Sequence, residues 1–172
     1  MSAAAASAAE GGAAGSLCQG DEDVLFSCAL GGRVASLCAT LKQETIERIT
    51  YRYGTRARIE ISYAAESGNG NRFKGTVAPA SPRALIRQVW FDRGPFRYLL
   101  TECLGGDCVR PAGLAVLRGD RVVKNGGCTG PGNDRAWFSD KLVDFKSAVA
   151  DSRSKTELLV IEDADNMPEK LY

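Results

Sequence analysis

Along most of this chain apolar residues recur at every second position, the period of a strand with one buried and one solvated face. "VLFSC" and "RVASLC" flank Gly31-Gly32, where two glycines supply the positive φ of a tight hairpin turn. In "RITYRYG" and "ARIEISY" the alternation puts Ile49, Tyr51 and Tyr53 on one face, and Ile59, Ile61 and Tyr63 on one face. A second hairpin closes at "TR" after Gly54, and "AESGNGNRFKG" reads as a loop. "RALIRQVWFDRGPFRYLLTEC" gives two strands around residues 92–95, and "GLAVLRGDRVVKNGGC" gives a hairpin across Gly119-Asp120. The helical period is clear once, in "SDKLVDFKSAVADS", where Leu142, Phe145 and Val149 follow a Ser139 N-cap. "TELLVIEDA" reads as a final edge strand and "DNMPEKLY" as a loose end. The pattern therefore predicts an all-β fold. It is an antiparallel meander of about 7–9 strands forming a small barrel or sandwich, with one short helix near 139–150.

Residues 1–17 begin as Ala/Gly/Ser low complexity and read as a flexible tail, leaving 18–172 as a single β domain. The tail lacks a basic n-region and an apolar h-region, so it is not an intact signal peptide. Its Ala-x-Ala texture suits the mature end of an exported protein behind a starting Met. No run reaches the roughly 18 apolar residues of a membrane span. The net charge of +1 argues against nucleic-acid or membrane-surface binding by bulk electrostatics.

Six cysteines and no histidine sharpen the picture. Zinc wants paired Cys knuckles or Cys with His. Only Cys103 and Cys108 approach a knuckle, and no second one completes the ligand set. Thiol–disulfide catalysis favours Cys-x-x-Cys at a helix N-terminus, whereas "CLGGDC" has strand-like flanks. It reads as a hairpin, with Leu104 opposite Asp107, Gly105-Gly106 as the turn, and Cys103 facing and bonding Cys108. Structural disulfides in an oxidising compartment are the expectation, with no metal and no cofactor. A two-residue turn at 31–32 sets Cys28 opposite Ala35 and Cys38 opposite Leu25. The two cysteines then point to opposite faces and do not bond each other. Cys28 with Cys128 and Cys18 with Cys38 is the favoured pairing; Cys18 with Cys28 and Cys38 with Cys128 stays open.

"VLFSC", "VASLC", "ITYRYG", "RIEISY", "VWFDRGPFRYLL" and "GLAVLRGDRVV" before a closing Cys resemble a group of exported bacterial proteins of unknown function. The resemblance spans roughly residues 18–130 and its motifs are structural. It matches Cys18, Cys28, Cys38 and Cys128, with Cys103 and Cys108 as an addition. A fainter likeness is to periplasmic C-type lysozyme inhibitors, β-barrels with a first-strand to last-strand disulfide. Their Ser-Gly-x-x-Tyr inhibitory loop has no match, because in "ESGNGNRF" Phe73 falls in the wrong place. The likeness implies an inhibitor-like scaffold and supplies no inhibitory residue.

Without histidine there is no Ser-His-Asp or Cys-His set. The acids of "GDEDV" and "IEDADNMPE" read as solvated charge, and "GGCTGPGND" lacks the Lys-Ser/Thr ending of a phosphate loop. The expectation is a non-catalytic exported module that binds another protein, such as an inhibitor or immunity protein against a secreted hydrolase or toxin. The alternative is an envelope enzyme or glycan-binding protein using an aromatic-rich loop. Specificity is expected in loops at strand ends. The candidate binding residues are Asp92, Arg93, Phe96 and Arg97 around one turn, and Leu104 and Asp107 at the cysteine-locked tip. Trp137 and Phe138 form a second aromatic candidate, expected to pack the helix onto the β domain.

Overall fold

A computed structural model describes residues 15–43, 45–129 and 158–162. Ten strands are found among them, in two sheets. The first sheet has four antiparallel strands in sequence order: β1 (Asp23–Ala29), β2 (Val34–Lys42), β3 (Thr45–Gly54) and β4 (Ile59–Glu66). The second runs β10-β5-β6-β7-β8-β9, from β5 (Phe73–Ser81), β6 (Ala84–Arg93), β7 (Phe96–Gly105), β8 (Ala112–Arg118), β9 (Arg121–Gly127) and β10 (Leu159–Ile161).

The all-β expectation holds, with two departures. Neither sheet closes, so there is no barrel, and β10 lies parallel to β5 in place of continuing the antiparallel meander. The helix expected near 139–150, with Trp137 and Phe138 before it, lies outside the described residues. β5 is a strand the alternation does not predict, and its start falls within the expected loop "AESGNGNRFKG". Its Gly75 and Pro79 hide the pattern, and Pro79 is tolerated because, among the described residues, β10 pairs with 73–75 and no ladder covers that edge at Pro79.

The two sheets share one core. Leu25, Phe26, Leu37, Ile49, Tyr51 and Tyr53 of the first pack with Phe73, Val89, Phe91, Leu100 and Leu114 of the second. Phe91 stands at its centre, with ring centroids 4.2 Å from Tyr63, 5.0 Å from Tyr51, 5.0 Å from Tyr98 and 5.5 Å from Phe73. Towards the Ala84–Gly105 end the space between the sheets holds an ion pair, Arg87 to Glu102 at 2.6 Å, both buried. A second cluster of Trp90, Leu99, Ala115 and Leu117 lies on the other face of the six-stranded sheet.

Bulges shift the expected registers. Cys28 faces Ala35 as read, but Cys38 faces Val24, because an irregularity at Leu25 inserts an extra residue into β1. The parity argument survives, since Ala35 and Cys38 still occupy opposite faces of β2. Another irregularity between Tyr53 and Gly54 turns Ile59 outward, where it is exposed, while Ile61 and Tyr63 pack inward. Residues 15–17, at the end of the expected tail, lie against the outer face of the four-stranded sheet. Leu17 N–H donates to Ser36 Oγ at 2.9 Å, and Ser16 and Leu17 are buried.

All six cysteines are paired, as Cys18–Cys38, Cys28–Cys128 and Cys103–Cys108. Cys28–Cys128 fastens the edge of the first sheet to the chain just beyond β9. Beside it Thr129 N–H donates to Ala29 O at 2.8 Å and Cys128 N–H to Ala112 O at 3.0 Å. Three disulfides fit an oxidising compartment. No helix among the described residues is long and apolar enough to cross a membrane.

Candidate functional site

The expected binding residues fall at two opposite ends of the β6–β7 hairpin. Arg93 pairs with Phe96 at one end and Ala84 with Gly105 at the other. Nine residue steps at about 3.3 Å separate them by about 30 Å, so the two loops form separate surfaces.

At the first end Gly94, with φ +57°, and Pro95 make the turn. Strand alternation divides its four candidates by face. Asp92 and Arg97 face each other on the Trp90 side, where Arg97 grips Asp92 with a two-bonded fork of 2.7 and 3.0 Å. The Arg97 guanidinium also lies 6.0 Å from the Trp90 ring centroid. The bond to Asp92 raises the Arg97 pKa further, so the fork stays charged. Arg93 and Phe96 share the opposite face with Phe91 and Tyr98, towards the four-stranded sheet. Arg93 is exposed and Phe96 half-buried.

At the second end the expected two-residue hairpin is not formed. Leu104 pairs with Leu85 across to β6, and β8 begins only at Ala112. Asp107 reaches sideways, accepting from Ser81 Oγ at 2.6 Å and Arg83 Nη2 at 2.6 Å. The Ser81 bond, with that to Arg83, holds its carboxyl below the ordinary range. Gly105 sits at φ +123°, and a Cβ there would clash with the Arg83 carbonyl, which lets the tip lean onto the β5–β6 turn. The Asp107 charge is thus engaged within the chain.

A groove opens between the sheets at the Arg93–Phe96 end, with a volume of about 240 Å³. Tyr51, Tyr53 and Ile61 form one wall; Phe96, Tyr98, Leu114, Val116, Val123 and Lys124 form the other. Sequence reasoning found Phe96 and missed the rest as site residues. A bulge in β9 places Lys124, and not Val123, opposite Val116, which brings the ammonium to the groove. Lys124 Nζ donates to Tyr53 Oη at 2.8 Å and lies 4.8 Å from the Tyr53 ring centroid. Beyond that pair a second hollow of about 250 Å³ continues past Leu30, Gly31, Gly126 and Gly127. In the wall, Tyr51 Oη is buried with no hydrogen-bond partner among the described residues. Burial pushes the Tyr51 pKa well up, with Tyr53 and Tyr98 adding to the shift, so it stays a neutral phenol. The groove therefore offers apolar walls, one cation and hydroxyl groups, a combination suited to binding.

Of the acids in "GDEDV", Asp21 is exposed as expected, whereas Glu22 is not. Glu22 accepts a fork from Arg52 at 2.5 and 2.9 Å, both side chains largely buried. Burial raises its pKa, but the Arg52 bonds and the Gln19 N–H outweigh this and leave it lowered. Cys18, Glu22 and Cys38 also have their ligand atoms within 4.8 Å of one another. Both sulfurs are spent in a disulfide, so this cluster offers no thiolate to a metal. No family model, curated protein or solved structure matches this chain.

Proposed function

We propose that this is a non-catalytic module, exported to the periplasm or secreted, that binds another protein as an inhibitor or immunity protein of a secreted hydrolase or toxin. The observation that carries this reading is the preset Arg93–Phe96 end. A stapled two-sheet scaffold holds the turn, the Asp92–Arg97 fork fixes its far face, and an exposed Arg93 and half-buried Phe96 are left towards the groove. Arginine and aromatic residues on a rigid turn are the types that dominate interface energetics, and rigidity lowers the entropy lost on docking. The glycan-binding alternative needs an aromatic platform at this loop. Trp90 and Phe91 are buried, which weighs against it.

The test is inhibition of a panel of purified secreted hydrolases, including lysozymes, peptidoglycan amidases, nucleases and proteases, by stoichiometric native protein. One enzyme is expected to be inhibited, with the effect weakened at least tenfold in an Arg93→Ala, Phe96→Ala double variant that melts like the parent. Turnover of any substrate by the protein itself, or inhibition unchanged in that variant, overturns the reading.

A further inference from the structure

We infer that the groove between the sheets is a small-molecule site for an apolar monocarboxylate carrying one further hydrogen-bond acceptor. This goes beyond the protein-binding reading and does not rest on it. Size comes first. An apolar cavity of about 150 Å³ accepts a benzene ring. At about 240 Å³ the groove has room for a ring and a short chain.

The polar groups then choose the chemistry. Lys124 carries three donors and spends one on Tyr53 Oη; it has no carboxylate partner among the described residues. Many cations elsewhere, Arg52 and Arg87 among them, are matched with acids, whereas exposed ones such as Arg58, Arg118 and Arg121 have none among the described residues. What sets Lys124 apart is its place: it is exposed to solvent on one side, edges the apolar walls on the other, and is tied there by a phenol. A ligand carboxylate would take the remaining Lys124 donors, with the apolar body lying along Ile61, Tyr98 and Val116.

Tyr51 supplies the second selector. A buried hydroxyl with no partner is costly to leave unmade, and wholly apolar ligands would leave it so. The hydroxyl is sealed from solvent, so an acceptor on the ligand, a ketone or ester oxygen set back from the carboxylate, completes it only as the groove wall parts. Neutrality at every ordinary pH makes Tyr51 a dependable donor.

Three probes separate these contributions: 4-oxo-4-phenylbutanoate, 4-phenylbutanoate without the ketone, and butyrophenone without the carboxylate. Isothermal titration of the full chain is expected to give sub-millimolar binding for the first. Each of the other two should bind about tenfold more weakly. Lys124→Met should erase the preference for the acid over butyrophenone. Tyr51→Phe should erase the preference for the keto acid over phenylbutanoate, while leaving the unliganded protein as stable or more so. Chemical-shift changes on adding the keto acid should centre on Tyr51, Tyr53 and Lys124. No binding of the keto acid at 10 mM (a concentration of about a hundred expected dissociation constants) overturns the inference. So do equal affinities for the three probes, preferences that survive both substitutions, or shifts centred elsewhere.

Discussion

Replacing Cys28 and Cys128 together by alanine tests how the two sheets are held. The bond joins positions 100 residues apart, whereas Cys18–Cys38 spans 20 and Cys103–Cys108 spans 5. In the chain-entropy account a crosslink stabilises by restricting the unfolded chain, more for longer loops. That account gives about 4.7, 3.3 and 2 kcal/mol for the three bonds in that order. Each double substitution removes at least one buried sulfur, since Cys28, Cys38 and Cys103 are all nearly inaccessible, so the packing losses are similar and loop length carries the difference. For a chain of this size about 1 kcal/mol corresponds to about 2–4 °C in Tm. The Cys28→Ala, Cys128→Ala variant should therefore melt about 10–20 °C below the parent, and the Cys103→Ala, Cys108→Ala variant about 4–8 °C below it. Thermal unfolding followed by near-UV circular dichroism reads both, with a thiol titration confirming no free cysteine in the parent. Equal melting of these two variants would refute the reasoning. The seam at Ala29, Ala112 and Thr129 would then hold by hydrogen bonds and packing alone.

Three further outcomes follow from the core and its charges. Phe91→Ala removes the ring on which both sheets converge and should cost about 3–5 kcal/mol in urea unfolding; a loss below 1 kcal/mol would mean the sheets do not share that core. Arg87→Met strands the buried Glu102 carboxylate and should cost about 3–5 kcal/mol, while Arg87→Met with Glu102→Leu should recover much of it; a double variant worse than the single contradicts the pairing. Glu22 has a folded pKa below its ordinary 4.5, so its contribution is complete above that value and is lost as pH falls through the lowered one. Stability measured over about pH 2–6 should fall less steeply in Glu22→Gln than in the parent, and superimposable slopes would exclude the Arg52 fork as the cause.

What the sequence revealed is what a two-residue period can carry. Ile49, Tyr51 and Tyr53 read as one face because one side of β3 is buried, and the turns at 31–32, 94–95 and 119–120 announce themselves through glycine. The cysteine pairing was legible in part for the same reason: with Cys28 opposite Ala35, parity along β2 keeps it from Cys38, which still left two pairings open. Irregularities left no such trace. An extra residue at Leu25 or Val123 looks like any other apolar position, yet the second of these decides that Lys124 reaches the groove. Non-local pairing was equally silent. The Glu22–Arg52 fork spans 30 residues, and the parallel pairing of β10 with β5 brings position 159 to position 73. The groove belongs to this class, since its two walls come from sheets that no local pattern relates.

The polar groups at the two ends of the inter-sheet space differ, and the difference bears on the proposed groove ligand. At the Ala84–Gly105 end a cation was placed inside and matched, Arg87 with Glu102, so the interior there is electrically complete. At the Arg93–Phe96 end Lys124 has a phenol for a partner, and Tyr51 beside it has none among the described residues. If the open end were merely underfilled, larger apolar residues at Val116 or Val123 would close it at little cost, because small-to-large changes at a yielding surface groove displace only solvent. Instead the walls stop short around an exposed ammonium and the phenols of Tyr51 and Tyr53, each able to donate or accept. An apolar groove edged by an ammonium, with a phenol free to donate, is complementary to an acid with an apolar body. That complementarity, not the presence of a hollow, is what the Lys124→Met and Tyr51→Phe pair would test.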